Sequence, residues 1–178
     1  MLLAAVFLAG LPAATSALAD AASDRKACFA VGYGGQKRVD ACTGFINSGR
    51  LSKNELSAAL QSRAEGYRII EQYDRALADF DRALALDPRL ARGYANRAEV
   101  YRVLGQFEKV IADTTEAIRL DPTPNAFYAI RGFAYERQSD VARARADYNK
   151  ALALPIKDAD GGWAQDVARS RLKELDNK

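Results

Sequence analysis

Arginine and aspartate recur at a fixed spacing through the middle of the chain, and their charges make them the first candidates for chemistry. A row of arginines could bind an anion, because each guanidinium offers a fork of hydrogen-bond donors. An aspartate recurs with every arginine, however, and an internal pair would neutralise both groups while the arginine stem packs on apolar surface. We therefore predict ion pairs rather than an anion site. The residues are Arg63, Arg97 and Arg131, with Asp79, Asp113 and Asp147.

The sequence lacks the residue arrangements that usually support catalysis. The chain contains no histidine, which removes the commonest general base and the commonest transition-metal ligand. Serine, threonine and cysteine nucleophiles lack a histidine to activate them, and no carboxylate pair has a partner base or metal-ligand spacing. We predict no enzyme activity, no cofactor and no metal site; a lysine-dependent or carboxylate-pair enzyme is the alternative. The net charge of +3 is small and no basic patch is interleaved with aromatic residues, so nucleic acid is not an expected partner.

The same residue pattern returns in three consecutive windows of 34 residues, 57–90, 91–124 and 125–158. A fixed period of this length is typical of a repeat solenoid. Within each window, the spacing of apolar residues predicts two amphipathic helices, with a turn between them and a proline at the end. The recurring positions are Ala64, Ala98 and Gly132, then Tyr67, Tyr101 and Tyr135, then Ala83, Ala117 and Ala151, then Leu86, Leu120 and Leu154.

These windows resemble the tetratricopeptide repeat in their length, small-residue position, aromatic positions and terminal proline, over about 102 residues of the chain. Two departures are the early proline of the third window, Pro155, and Thr114, which stands where Phe80 and Tyr148 stand. The resemblance implies an all-α, right-handed solenoid of helix hairpins. It also implies that the first helices line a concave surface, which the family uses to hold peptides or partner helices.

The helical register places a candidate partner-binding surface on the outward side of the first helices. Both charge signs and a few apolar side chains occur there, which suits a weak, extended contact with a peptide or protein. A solvated face without a partner is the alternative. The predicted residues are Gln61, Glu65, Arg68, Ile69, Arg92, Ala95, Asn96, Glu99, Arg102, Val103, Phe133, Glu136 and Arg137.

One subclass of the family grips the terminal carboxylate of chaperone tails with a clamp of lysines, asparagines and an arginine. Of the five clamp positions, only Asn96 matches in this sequence. Gln61, Glu65, Ala126 and Ile130 occupy the other four and cannot supply the cations. We therefore do not expect chaperone-tail binding.

The first 19 residues are almost wholly apolar or small and end in an Ala-Leu-Ala step before Asp20. Small residues around one position suit signal peptidase, so we predict a signal peptide over 1–19, cleaved after Ala19. The mature protein would be periplasmic or secreted and free of the membrane. A retained membrane anchor is the alternative, which Gly10 and Pro12 disfavour.

Residues 20–56 are expected to form an irregular N-terminal helix pair with a glycine-rich turn. Cys28 and Cys42 fall on opposite helices of this pair, and an oxidising compartment would keep a disulfide between them closed. Two independent buried thiols are the alternative.

Residues 159–178 predict a C-terminal helix that caps the apolar end of the solenoid. We expect Trp163 to have a packing role in this cap, and a role as a ligand-binding anchor is the alternative. The predicted apolar stripe of this helix is Trp163, Val167, Ser170, Leu172 and Leu175.

These expectations describe an exported bacterial interaction module without catalysis, which binds a peptide or partner protein through its concave face. A structural module that self-associates through its end helices, Trp163 included, is the alternative from a different functional class.

Overall fold

The computed structural model describes residues 22–30, 32, 34–49, 51–156 and 159–177, and only the backbone of residues 159 and 160. The predicted signal peptide over 1–19 lies outside the described residues. The described part consists of helices and turns and contains no strand. The helices are α1 (22–28), α2 (Gly35–Asn47), α3 (Lys53–Ile69), α4 (Tyr73–Leu86), α5 (Ala91–Val103), α6 (Phe107–Leu120), α7 (Asn125–Arg137), α8 (Val141–Ala153) and α9 (Ala159–Asp176).

From α2 onward, each helix packs against the next one in the chain, which is the arrangement of a solenoid. The hairpins α3–α4, α5–α6 and α7–α8 are the three repeats, and their first helices also contact one another in sequence order. Helix α9 packs on both helices of the last repeat. The predicted all-α solenoid is confirmed.

The first repeat starts earlier than its 34-residue window, because a capping box fixes the beginning of α3. The amide of Glu55 donates to the Ser52 hydroxyl at 3.2 Å, and the amide of Ser52 donates to the Glu55 carboxylate at 3.0 Å. These hydrogen bonds from Ser52 lower the pKa of Glu55. The helix therefore begins at Lys53 rather than at residue 57.

The turn between the two helices of a repeat has the same backbone in all three copies. Its central residue lies in the left-handed region, with φ of 60° at Glu71, 70° at Gly105 and 65° at Ser139. The amide of the next residue donates to the carbonyl of the recurring tyrosine at 2.9 Å in each copy, which closes the end of the first helix. Glycine adopts this conformation without a steric penalty, whereas Glu71 and Ser139 do not.

Each predicted Arg–Asp pair is present as a two-pronged contact between the two helices of one repeat, and the three aspartates are buried. Nε and Nη2 of the arginine donate to the two carboxylate oxygens. The distances are 2.7 and 2.8 Å for Arg63 and Asp79, 2.8 and 2.7 Å for Arg97 and Asp113, and 2.8 and 2.9 Å for Arg131 and Asp147. We call these three pairs the arginine ladder.

The third nitrogen of each ladder arginine reaches back to the preceding hairpin. Nη1 of Arg63 donates to Thr43 at 3.3 Å, and Nη1 of Arg97 donates to Asp81 at 2.6 Å. Nη1 of Arg131 donates to Thr115 at 3.2 Å. Each guanidinium thus joins three helices. The hydrogen bond to the ladder aspartate raises the pKa of the arginine in every repeat, although burial acts in the opposite direction.

The recurring small residue of each first helix marks its closest approach to the second helix. Ala64 and Ala98 are fully buried, and a Cβ added to Gly132 would lie 3.0 Å from the ring of Tyr148. In the second repeat the ring is replaced by Thr114, whose hydroxyl donates to the carbonyl of Val110 in its own helix at 2.6 Å. The departure is tolerated because the buried hydroxyl has a partner.

The predicted disulfide between Cys28 and Cys42 is present and joins α1 to α2, with the Cα atoms 4.6 Å apart. Both cysteines are buried beside Phe45, whose ring meets that of Phe29 edge-to-face with centroids 6.0 Å apart. The carbonyl of Cys28 accepts a hydrogen bond from the Ser62 hydroxyl of α3 at 2.6 Å. Helix α1 is thus tied covalently to α2 and by a hydrogen bond to the first repeat.

Helix α9 covers the last repeat with a face that overlaps the predicted stripe only in part. Ala164 and Ala168 are fully buried and Leu175 nearly so, whereas Trp163 is 49% exposed and Ser170 is also exposed. The expected packing role of Trp163 is met only in part, because half of its side chain remains exposed. The two alanines let the backbone of α9 approach the repeat closely. Because the helix packs with its alanine face, the larger Trp163 side chain lies at the edge of the contact.

An ion pair between α9 and α7 fixes the cap. Arg171 donates from Nε to the carboxylate of Glu136 at 3.0 Å, and the Tyr148 hydroxyl donates to the same carboxylate at 3.0 Å. Burial and this hydrogen bond raise the pKa of Tyr148. At the equivalent position the first two repeats carry Arg68 and Arg102. The reversed charge in the third repeat therefore matches the arginine of the cap.

Candidate functional site

A groove of about 420 Å³ crosses the first helices of the three repeats and ends at α9. Charged and amide side chains come from α3 and α5, whereas α7 and α9 contribute apolar side chains. We call this feature the groove. Its lining residues are Glu65, Arg68, Arg92, Ala95, Asn96, Glu99, Ala126, Phe127, Ile130 and Trp163.

The structure brings together the part of the predicted partner surface that lies on α3 and α5. These residues follow one another at intervals of about one helical turn, so their side chains share one face of each helix. The predicted residues that line the groove are Glu65, Arg68, Arg92, Ala95, Asn96 and Glu99.

The predicted residues near the C-terminal ends of the first helices lie outside the groove lining. The guanidinium of Arg102 lies over the ring of Phe133 at 5.7 Å, and that of Arg137 lies over the ring of Phe107 at 5.6 Å. The two rings meet edge-to-face with centroids 6.2 Å apart. These side chains form an aromatic–arginine cluster beside the groove.

Four further predicted residues do not line the groove either. Ile69 and Val103 are exposed at the ends of their helices, and Gln61 is half-buried. Glu136 is engaged by Arg171 of the cap, and its side chain is only 8% exposed. The register alone could not place Glu136, because the sequence does not tell which side of α7 the cap covers.

Charges of opposite sign are paired along the groove. Arg68 Nη2 lies 2.9 Å from Glu65 Oε2 on α3, and Arg102 Nη2 lies 2.9 Å from Glu99 Oε2 on α5. Each pair joins residues one turn apart on the same helix. The carboxylates of the groove wall therefore have cations beside them.

Two polar groups of the groove wall have unused hydrogen-bonding capacity within the described part of the chain. Glu99 Oε1 is buried and accepts no hydrogen bond. The side-chain amide of Asn96, one turn away on α5, makes no hydrogen bond to any described residue. Unpaired buried acceptors are costly, so they are uncommon unless water or a ligand completes them.

The apolar end of the groove contains two aromatic residues outside the predicted partner surface: Phe127 was not considered, and a ligand-binding role for Trp163 was only the alternative. Phe127 is 4% exposed at the start of α7, and Trp163 projects from α9. Ala126 and Ile130 complete this end. The signal that could have identified Trp163 is the pair of alanines at 164 and 168, which mark the packed face of α9 and leave residue 163 at its edge.

Two other classes of site find no support in the described part of the chain. It holds no group of three or more cysteine, aspartate and glutamate side chains arranged to bind a metal ion. None of its helices is long and apolar enough to cross a membrane.

Comparisons with known proteins agree with this fold. Residues 91–124, the second repeat, match the sequence model of the tetratricopeptide repeat. No curated protein matches the chain.

Several solved structures share the fold. The tetratricopeptide-repeat domain of Arabidopsis OM64 is 25% identical, with a TM-score of 0.59 over 67% of this chain and 99% of that one. The second such domain of Spaghetti (RPAP3), bound to the HSP90 peptide SRMEEVD, is 28% identical, with a TM-score of 0.56 over 57% of this chain and 94% of that one. A tetratricopeptide-repeat protein from Parabacteroides merdae is 18% identical, with a TM-score of 0.63 over 80% of this chain and 55% of that one.

The sequence match in the second repeat is thus flanked by hairpins with the same turn and the same arginine ladder, and the solved structures that share the fold include named repeats of this kind. The second repeat is a tetratricopeptide repeat by sequence, and the described part of the chain has the fold of tetratricopeptide-repeat domains.

Proposed function

We propose that this chain is a non-catalytic interaction module that holds a peptide, or a segment of a partner protein, in the groove. The observation that carries the proposal is the pair of unused polar groups, the Asn96 amide and Glu99 Oε1, in a concave wall. The main chain of an extended peptide supplies the donors and acceptors that would complete them. The Spaghetti domain, 28% identical, was solved with a peptide bound, which supports the same mode of use.

Site-specific photo-crosslinking tests this proposal. A photoreactive amino acid in place of Asn96 is expected to form adducts with a partner in cells. The matched control replaces Arg82, an exposed residue of α4 on the other helix layer. Adducts that form at position 96 and are absent at position 82 support the groove. Equal adducts at both positions, or adducts at position 82 alone, would place the partner elsewhere.

We further propose that the module works outside the cytoplasm. The apolar segment over 1–19 ends in an Ala-Leu-Ala step that suits signal peptidase, and a Cys28–Cys42 disulfide suits an oxidising compartment. N-terminal sequencing of protein from the periplasmic fraction is expected to begin at Asp20. A chain that retains residue 1 in the membrane fraction would contradict cleavage and indicate an anchor.

Self-association through α9 is a second candidate function, because Ile156 and Trp163 near this end are 57% and 49% exposed. Light scattering across a range of concentrations separates the two proposals. A molar mass that stays at the monomer value would overturn self-association. A mass that rises with concentration and falls back in Ile156→Ser would support it.

A further inference from the structure

We propose that the groove selects an internal, uncharged segment with a bulky apolar anchor residue, and that Trp163 of α9 forms a wall of the anchor pocket. The inference rests on the proposed function and adds the chemistry of the partner. It differs from recognition of an acidic chain terminus, and the observations that separate the two are the groove's wall residues, its charge balance and its unused polar groups.

The wall of the groove on α7 is apolar. Ala126 and Ile130 lie one turn apart and face the groove beside Phe127. A carboxylate bound against this wall would lose hydration, and α7 supplies no cation to the groove, which is unfavourable. A large apolar side chain would instead remove water from surface that is already apolar.

The charges of the groove are balanced. Glu65 and Glu99 are each paired with an arginine one turn away. Among the lining residues, two carboxylates accompany two guanidinium groups, those of Arg68 and Arg92. A groove with no excess of either sign attracts a charged segment weakly, so specificity has to come from shape and hydrogen bonds.

The unused polar groups match a peptide main chain better than a charged side chain. The amide of Asn96 can donate and accept at once, as the backbone unit of an extended peptide does. Glu99 Oε1 is buried and lacks a donor, so the Glu99 side chain has to turn towards the groove before a main-chain N–H can bond to it, and such a donor brings no second charge. Both groups lie on α5, in the middle repeat, so the anchor and the main-chain contacts are adjacent along the groove.

Trp163 completes the apolar pocket from outside the repeats. Its side chain is half-exposed and lines the groove, although α9 is otherwise packed by its alanine face. A half-exposed tryptophan in a concave surface has the features of a binding hot spot. The cap helix therefore contributes to recognition as well as to covering the end of the solenoid.

A library of random linear peptides, displayed within a loop of a carrier protein so that neither terminus is free, tests the inference. The purified, oxidised full chain is expected to recover peptides that share one bulky apolar position. In amidated synthetic copies, alanine at that position is expected to weaken binding about tenfold or more, as for a hot-spot residue. Raising the salt concentration is expected to change Kd less than about threefold, because few charges are neutralised.

Variants of the protein locate the anchor pocket. Trp163→Ala is expected to weaken binding of the recovered peptides about tenfold or more, and Val141→Ala, at an exposed apolar residue outside the groove, less than about twofold. Ala126→Asp, which alters the pocket without altering α9, is expected to weaken binding as strongly as Trp163→Ala. Hydrogen exchange of α9 in both variants checks that the cap remains docked.

The outcomes separate the two proposals. Recovery of acidic peptides, or of peptides that Trp163→Ala and Ala126→Asp bind as well as wild type does, overturns the anchor inference and leaves the groove as a binding site. Failure of the wild-type chain to recover any peptide, while the Asn96 photo-crosslinker also gives no adduct, overturns the proposed function and the inference with it.

Discussion

The arginine ladder and the groove lie on the same repeats, yet one is periodic and the other is not. The ladder presents the same pair of residue types with nearly the same distances in all three repeats. Glu65 lines the groove in the first repeat, and the equivalent residue is Glu99 in the second repeat and Phe133 in the third. Positions that repeat hold helices together, and positions that depart from the repeat define what each part of the surface contacts.

Removing one member of the ladder is expected to give the largest loss of stability. Asp113→Ala leaves the guanidinium of Arg97, 18% exposed, without its main partner, and loss of one partner of a buried pair costs roughly 3–5 kcal/mol. The free energy of unfolding from urea titration measures the effect. Asp81→Ala is the matched control: it removes the other carboxylate on the same arginine, but Asp81 is 58% exposed, so about 0–1 kcal/mol is expected.

A double-mutant cycle sharpens this result. If the pair is shielded, the Arg97→Ala, Asp113→Ala double variant loses less stability than the sum of the single variants, because neither charge is left unpaired. Additive losses, or equal effects of the two aspartate substitutions, would place Asp113 in a solvated environment and contradict the ladder.

Reduction of the disulfide is expected to affect the N-terminal pair and spare the ladder. The bond closes a loop of about 15 residues, for which chain entropy gives roughly 3 kcal/mol. The disulfide is the covalent tie between α1 and α2, so reduction should speed hydrogen exchange in both helices. Terminal units of a solenoid lose structure first, and α5 to α8 should stay protected. Uniform loss of protection over all repeats would contradict this local role, and Cys28→Ser, Cys42→Ser is the matched variant.

Overpacking tests the closest approach of the helices. Ala98→Leu places a larger side chain at a fully buried position between α5 and α6 and should cost roughly 1–3 kcal/mol in thermal or urea unfolding. Ala85→Leu, at an exposed position of α4, is the control and should change stability little. Equal effects of the two substitutions would mean that residue 98 is not at the helix contact.

The three turns offer the smallest effect and an internal comparison. Gly105→Ala is expected to destabilise the chain by about 1 kcal/mol, because alanine is strained at φ 70° although no atom lies in its way. Glu71→Gly and Ser139→Gly relieve that strain and should be neutral or stabilising by up to about 1 kcal/mol. A loss of stability in both glycine variants would show that other contacts of Glu71 and Ser139 outweigh backbone strain.

The periodic features of this protein could be predicted from its sequence, because each copy repeats the evidence. The 34-residue spacing of Arg97 and its equivalents predicted the solenoid and the ion pairs. The disulfide could be predicted because the two cysteines fall on opposite helices of one pair.

The groove could be predicted only in part, because its C-terminal end depends on a helix without a repeat. Glu65, Asn96 and Glu99 were identified from the register of α3 and α5. Trp163 was expected to have a packing role rather than to line the groove, and Glu136 was expected on the partner surface. The surroundings of both side chains depend on which face of α9 packs on the last repeat. Ala164 and Ala168 determine that face, and α9 has no repeated copy from which it could be predicted.

Trp163 is the only tryptophan of the chain, so its fluorescence reports directly on the groove. Titration of the oxidised chain with an apolar peptide recovered from display should give a saturable blue shift of the emission, because the bound anchor removes water from the indole. The shift should follow the same binding curve as calorimetry and disappear in Trp163→Phe. A peptide that binds by calorimetry while the Trp163 emission stays unchanged would contradict the claim that this groove is the recognition site.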